Sequence, residues 1–341
     1  MKATFVVALL LAAAGPLAAQ GQSVEAFYKR SNQIEMIINS APGGGYDLWA
    51  RLLATYMPDH IPGKPNIVPK NMPGAGGLTA ASHIYTKAPR DGTVMGMFSQ
   101  NVPLQALLDR NNTIQMDARK FSWIGTPATQ SLACAAMKAS GITKTEQLFE
   151  KELLLGGSGP ASGPSIHPTL IAKLTGAKLK IIEGYGNNSL IALAIRRNEV
   201  QGFCTNMVEI KREFSKELAA GEMTFLFVMD SKRLPGMPDV PSIHEFMKSE
   251  ADRQVFGFNM SSQELGRPVA STPEIPADRL NALRAAFLEA MKNPKLIEAA
   301  EKGGQDITVK SGEEIAAAIE RTYATPKDMI ERALALMPAE H

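Results

Sequence analysis

Ser40-Ala-Pro-Gly-Gly-Gly-Tyr-Asp47 is entered by the apolar run Ile34–Ile38 and left by Leu48-Trp-Ala-Arg-Leu-Leu-Ala-Thr-Tyr56. A short apolar run reads as a buried strand, and Leu48, Leu52 and Tyr56 recur at helical spacing, so the glycines occupy a strand-to-helix turn. Three glycines leave backbone N–H groups uncovered at a helix N-terminus, where partial positive charge favours an anion. Asp47 is placed as the N-cap, its carboxylate accepting from the first free amides of the helix. The same glycines suit a tight turn with positive φ. The loop alone leaves both uses open.

Outward from this loop, strands and helices alternate. Asn66–Pro69 reads as extended, Leu78–Thr86 as a helix behind Pro73-Gly-Ala-Gly-Gly77, and Asp91-Gly92 as a turn into a strand over Thr93–Phe98. Such alternation predicts an α/β architecture with a parallel sheet and right-handed crossovers. Ligands of these sheets bind outside the carboxyl ends of the strands. Here Gly43–Tyr46, Gly74–Gly77 and Ser99-Gln-Asn101 mark those ends and should share one rim. A second α/β unit begins near Leu132. Thr143-Lys-Thr-Glu146 reads as a capping box. The strand Leu153–Leu155 runs into a Ser/Gly-rich loop and a helix over His167–Leu174, and Leu179–Glu183 runs into Gly184-Tyr-Gly-Asn-Asn-Ser189 and a helix over Leu190–Arg197. The tail is helical, with a capping box at Ser311-Gly-Glu-Glu314 and apolar stripes that read as core.

The N-terminus reads as an export signal: Lys2, the apolar core Phe5 to Ala14, and the small-residue region Pro16-Leu-Ala-Ala19, with cleavage expected between Ala19 and Gly21. The apolar core is shorter than the ~20 residues of a membrane span. Removing residues 1–21 leaves about 320 residues, more than one hydrophobic core normally serves, so two lobes are expected. Apolar residues make up 45% and charged residues 21%, and the net charge of +2 is scattered, which argues against nucleic acid or a membrane surface as partner. Cys134 and Cys204 are the two cysteines. Both stand in apolar strand-like runs, which favours buried free thiols over the disulfide that an oxidising compartment permits. The five histidines show no ligand spacing, and no metal or other cofactor is expected.

Catalytic motifs fit poorly. Neither Ser158 nor Ser162 sits in G-x-S-x-G, despite His167 nearby, so a secreted serine hydrolase is the weaker alternative. Gly43–Gly45 precede no Gly-Lys-Ser/Thr and do not form G-x-G-x-x-G. The loops offer hydrogen-bond donors without nucleophiles or general bases, and they lack arginine, which suggests that dipoles hold the ligand. Asp47 is then expected to shape its own loop rather than to grip.

The order of motifs resembles the Bug, or TctC-like, family of extracytoplasmic solute receptors. Ala41-Pro-Gly-Gly-Gly-Tyr-Asp47 with Ala50-Arg51 is similar to that family's first motif, Asn71-Met-Pro-Gly-Ala-Gly-Gly77 to the second, and Ala88-Pro-Arg-Asp-Gly-Thr93 to the turn that follows it. Gly156–His167, Tyr185-Gly186, Ser231-Lys-Arg233 with Leu234–Ser242, Asp278-Arg-Leu-Asn281 and Asn293-Pro294 continue the likeness, which spans Ile34 to Ala324. The resemblance implies a two-lobed periplasmic-binding fold (type II-like) with the ligand cleft between the lobes. It further implies a periplasmic receptor that captures a small carboxylated solute and delivers it to the permease subunits of a tripartite tricarboxylate transporter; the protein itself is expected to be a monomer. A receptor presenting its closed form to a signalling protein is the alternative output. Lobe 1 is expected over 24–130 and 236–341, lobe 2 over 131–235. The expected ligand-binding residues are Pro42, Gly43, Gly44, Gly45, Tyr46 and Asp47 from the first loop, Gly76 from the second, and Ser99, Gln100 and Asn101 from the third. From the second lobe they are Ser158, Ser162, Gly163, Tyr185, Asn187 and Asn188. Met72 and Asn187-Asn188 depart from the family pattern, and the two asparagines make the second loop set richer in side-chain amides.

Overall fold

The computed structural model describes residues 22–109, 113–158, 162–185, 188–305 and 307–336. The expected export signal and Asn187 lie outside these residues. Helix α1 (Val24–Ser31) leads into β1 (Gln33–Ile38), α2 (Gly45–Tyr56), β2 (Asn66–Asn71), α3 (Leu78–Thr86), β3 (Val94–Met97), α4 (Val102–Leu108) and β4 (Ser122–Thr126). There follow β5 (Leu132–Met137), β6 (Leu153–Gly156), α5 (Gly163–Thr175), β7 (Leu179–Ile182), α6 (Asn188–Arg196) and β8 (Gly202–Asn206). Then come α7 (Met207–Glu213), α8 (Ser215–Ala219), β9 (Met223–Val228) and α9 (Glu250–Met260). The chain closes with β10 (Val269–Ser271), α10 (Ala277–Ala290), α11 (Pro294–Lys302), β11 (Lys310–Ser311), α12 (Gly312–Tyr323) and α13 (Lys327–Leu336).

Two sheets form, one of six strands in the order β11-β4-β10-β3-β1-β2 and one of five in the order β7-β6-β8-β5-β9. Both are mixed, which corrects the expected parallel sheet. β1 pairs in parallel with β2 and β3, but β10 runs antiparallel to β3 and β4. In the second sheet β6 is parallel to β7 and β8, while β5 is antiparallel to β8 and β9. Local strand–helix–strand units set the parallel halves. The antiparallel strands arrive from distant parts of the chain.

β1 is a near-continuous apolar run because both of its faces are covered. Ile34, Met36 and Ile38 pack with Trp49 and Leu53 of α2 and Phe287 of α10, whereas Ile37 packs with Ile84 of α3 and Ile319 of α12. Each such fully buried side chain contributes about 1.5–3 kcal/mol of transfer free energy. β5 divides in the same way: Cys134 and Ala136 face α5 and α9, and Ala133 and Ala135 face α6 and α7.

Three expectations are corrected here. Cys134 and Cys204 form a disulfide rather than free thiols, because the register of β5 and β8 sets them directly opposite each other. The division at 235/236 is displaced. Ile243, Val255, Phe256 and Phe258 pack into the core of the second sheet, and so do Met329, Ile330 and Ala333 of α13. The chain therefore crosses between the sheets at 127–131, at 261–268 and again between α12 and α13. Finally, the turn before Thr145 is capped by Gln147, whose Oε1 accepts from the N–H groups of Thr143 and Lys144 at 2.8 and 3.1 Å, not by a Thr143–Glu146 box. The Ser311–Glu314 box forms as expected. Among the described residues no helix is long and apolar enough to cross a membrane.

Candidate ligand-binding cleft

Four helices begin at one cavity of about 1370 Å³: Gly45 of α2, Leu78 of α3, Gly163 of α5 and Asn188 of α6 are each the first residue of their helix and each line it. Asn101 and Asn206, the N-caps of α4 and α7, line it as well. The first four N–H groups of a helix have no partner within it, so this cavity collects uncovered donors and the positive ends of helix dipoles from both sheets. The crossing segments add Thr129, Gln130, Gln263 and Arg267 to its wall.

The opening loop is clasped from behind. Gly44, not Asp47, is the N-cap of α2, and Asp47 stands in the first turn. Its Oδ2 accepts from Gly43 N–H at 2.9 Å and from Arg51 Nε at 3.0 Å, and its Oδ1 accepts from Asn71 Nδ2 at 2.8 Å. Asn71 Nδ2 also donates to Ser40 O at 2.9 Å, tying the end of β1 to the end of β2. The Arg51 guanidinium, followed by the Gly43 and Asn71 donors, holds the buried Asp47 carboxyl down at about 2. The N–H of Gly43 is thereby engaged by Asp47. Tyr46 turns the other way: its hydroxyl accepts from Gln100 N–H at 3.2 Å and donates to Gly266 O at 3.5 Å, and burial pushes its ionisation up.

Of the residues expected at the site, Gly45, Gln100, Asn101, Gly163 and Asn188 line the cavity. Pro42, Gly43 and Gly44 are exposed just before α2, and Gly76 lies against the side chain of Gln105, itself on the wall. Ser99 is off the wall, and its side chain lies against Gly77. Ser162 Oγ is 3.1 Å from Ser165 Oγ, which donates to Glu183 Oε2 at 3.0 Å. Ser158 is half-buried and off the cavity wall, and Tyr185 donates to Glu199 Oε2 at 3.5 Å, away from the wall.

Several wall residues went unread in the sequence, and Arg267 is the foremost. Its backbone N–H donates to Thr126 Oγ1 at 3.0 Å and to Ala128 O at 3.1 Å, which joins two crossing segments. Gly266 before it has φ +60°, and any Cβ there would collide with the carbonyl of Ala128. The Arg267 guanidinium lies 5.8 Å from the centroid of the Tyr46 ring, beside the start of α2. The sequence signal was Gly266-Arg267-Pro268 ahead of a strand, but nothing local ties it to a loop 220 residues earlier. Beside the dipoles expected from the loops, the structure places a cation on the cavity wall.

The second-lobe side carries Glu209, which accepts from Asn188 Nδ2 at 2.7 Å and Thr205 Oγ1 at 3.2 Å and lies 3.7 Å from Arg212. His167, also on this wall, is held neutral because burial lowers its ionisation to about 4. Gln100, only 8% exposed, donates from Nε2 to Gln263 Oε1 at 2.9 Å. Uncovered amides, Arg267 and Arg212 can bind a carboxylate, and the side-chain amides can orient the rest of a small polar molecule.

No protein-family model and no curated protein matches the chain. Solved structures do. A TctC solute-binding protein from Polaromonas superposes with a TM-score of 0.69 at 19% identity, covering 88% of this chain and 98% of that one. The periplasmic binding protein BugD gives 0.59 at 17% identity, covering 89% and 98%. MatC from Rhodopseudomonas palustris, with bound malate, gives 0.56 at 18% identity over the same shares. The chain has the two-lobed periplasmic-binding fold. Within that fold the six-stranded sheet forms the body of one lobe and the five-stranded sheet the body of the other. The helix starts of both sheets meet at the cavity, and the crossing segments contribute to its wall.

Proposed function

We propose that the protein is an extracytoplasmic solute receptor that holds a small carboxylated organic molecule between its lobes and presents it to membrane permease subunits. The observation that carries this is the Arg267 guanidinium beside the first turn of α2, in a cavity where helices from both lobes begin. A carboxylate there meets uncovered backbone donors and a charged fork together, and hydrogen bonds to charged groups contribute about 1.5–3 kcal/mol each. The malate in MatC and the adipate in a second R. palustris protein of the same fold support a carboxylate as ligand class. The function is capture, not catalysis: Ser162 engages Ser165 rather than a histidine, and the neighbours named are binding proteins. Closure follows from differential affinity, since only the closed form lets both walls touch the ligand. The resemblance to the Bug family supports a periplasmic protein with a tripartite permease as partner.

A thermal-shift screen of the mature protein against mono-, di- and tricarboxylates, amino acids, sugars and neutral amides tests this. A ligand at 100 times its Kd adds about 2.7 kcal/mol. A carboxylate should raise the melting temperature, and Arg267→Met should abolish the shift. Stabilisation by sugars or amides, with none by any carboxylate, refutes the proposal.

A further inference from the structure

The last crossing of the chain between the sheets differs from the other two. Residues 127–131 and 261–268 run side by side, joined by Arg267 N–H to Ala128 O and Gln130 N–H to Gln263 O. Between α12 and α13 there are only Ala324, Thr325 and Pro326, and both ends of this link are fixed. α12 packs Ile315, Ala318 and Ile319 into the core of the six-stranded sheet. The hydroxyl of Tyr323, its last residue, donates to Pro103 O of α4 at 3.1 Å. α13 packs Met329, Ile330 and Ala333 into the core of the five-stranded sheet. There Arg332 pairs with Asp252 of α9, and Lys173 of α5 donates from Nζ to Leu336 O at 2.8 Å. Four residue steps of extended chain reach about 14 Å, so Tyr323 and Lys327 cannot part further however the lobes turn.

α4 adds a second tie beside the first. It stands between β3 and β4 in sequence, yet Leu104, Leu107 and Leu108 pack against the apolar cluster of the five-stranded sheet, the one that holds Ala333. Parting the lobes here would return these leucines to water, which the hydrophobic effect opposes. Leu104 and Leu108 of α4 and Leu334 and Ala335 of α13 also line the cavity, so tie and wall coincide. We propose that α13 is a strap that limits opening along its own flank, so that the lobes part elsewhere and the ligand-free protein samples a narrow range of open forms. A narrow open ensemble keeps more of the molecules ready to close, which raises apparent affinity. The strap acts on lobe motion and holds whichever solute is bound.

The test is made on ligand-free mature protein, so its outcome is independent of the carboxylate reading. Spin labels are placed by Thr55→Cys on α2 and Lys211→Cys on α7, two exposed positions on helices of different lobes. The distribution of distances between the labels is then measured with and without Gly-Ser-Gly-Ser-Gly-Ser inserted between Ala324 and Thr325. Six flexible residues add a root-mean-square reach of roughly 13 Å, so the longest distances should extend by at least about 5 Å. The insertion leaves the packed faces of α12 and α13 unchanged, and surface insertions of this length are well tolerated. Leu107→Ala, which weakens the α4 contact and spares the link, should broaden the distribution less. An unchanged distribution in the insertion variant overturns the strap. Broadening by Leu107→Ala alone also overturns it, since the restraint would then belong to α4.

Discussion

The Arg267 guanidinium fills the space where a side chain on Gly45 would begin: a Cβ there would stand 2.7 Å from Nη2 and 3.1 Å from Nε. The backbone of Gly45 is ordinary helix and needs no glycine. The small residue makes room for the cation. Gly45→Ala should therefore leave the melting temperature unchanged or slightly raised, since alanine is the better helix former by up to about 1 kcal/mol, yet weaken carboxylate binding at least tenfold by displacing Arg267. Paired calorimetric titration and thermal melts of the two proteins check this. Undiminished affinity would separate Arg267 from the site.

Asp47 makes its loop stable in a pH-dependent way. Its folded ionisation, about 2, lies below the unfolded one, so the stabilisation is fully present above about pH 4 and is lost as pH falls toward 2. The size of that loss is about 2 kcal/mol. Asp47→Ala strands Gly43 N–H and Asn71 Nδ2 and should cost about 2–3 kcal/mol at neutral pH, read as urea unfolding at pH 7. A variant as stable as the parent at pH 7 would show that the clasp contributes nothing.

His167 acts in the adjoining window with the opposite group chemistry. Burial lowers its folded ionisation from 6.5 to about 4, so the unfolded chain takes the proton first. Stability is unaffected above pH 6.5 and falls by about 3 kcal/mol between pH 6.5 and 4. His167→Gln should flatten the stability profile over that interval while leaving the fall below pH 4 in place. An NMR titration showing His167 protonated at pH 6 would contradict the burial argument.

The Cys134–Cys204 bridge closes a loop of 70 residues between neighbouring strands. Restricting the unfolded chain by such a loop contributes about 2–4 kcal/mol. Denatured, unreduced protein should show no free thiol, and reduction or Cys134→Ala/Cys204→Ala should lower the melting temperature by several degrees. Two free thiols in protein purified without reductant would rule the bridge out.

What the sequence revealed was local. The passage from an apolar strand through Gly43–Gly45 into a helix is written in adjacent residues, and the boundaries of α3 at Leu78 and Thr86 match those expected. The helix starts at Gly163 and Asn188 came earlier than expected, because Pro164 suits a first turn and asparagine suits an end. Features that need two distant segments stayed hidden. Arg267 reaches Gly45 only once 126–131 and 261–268 lie side by side, and Cys134 meets Cys204 only through the strand register. Ile243–Met260 joins the second core because of packing, not of any motif. Gly43 shows the limit from the other side: the sequence offers it as a ligand donor, but its N–H donates to a carboxylate four residues ahead.

The residues that cross between the sheets also touch the cavity: Gln130, Gln263 and Arg267 are at once wall and connection. Their torsions must change if the lobes rotate, so grip and bend are not separate variables in this molecule. An affinity series made at these three positions would report both together. To vary the grasp alone, substitutions have to be made further out, at the helix starts, where the chain is anchored to one lobe.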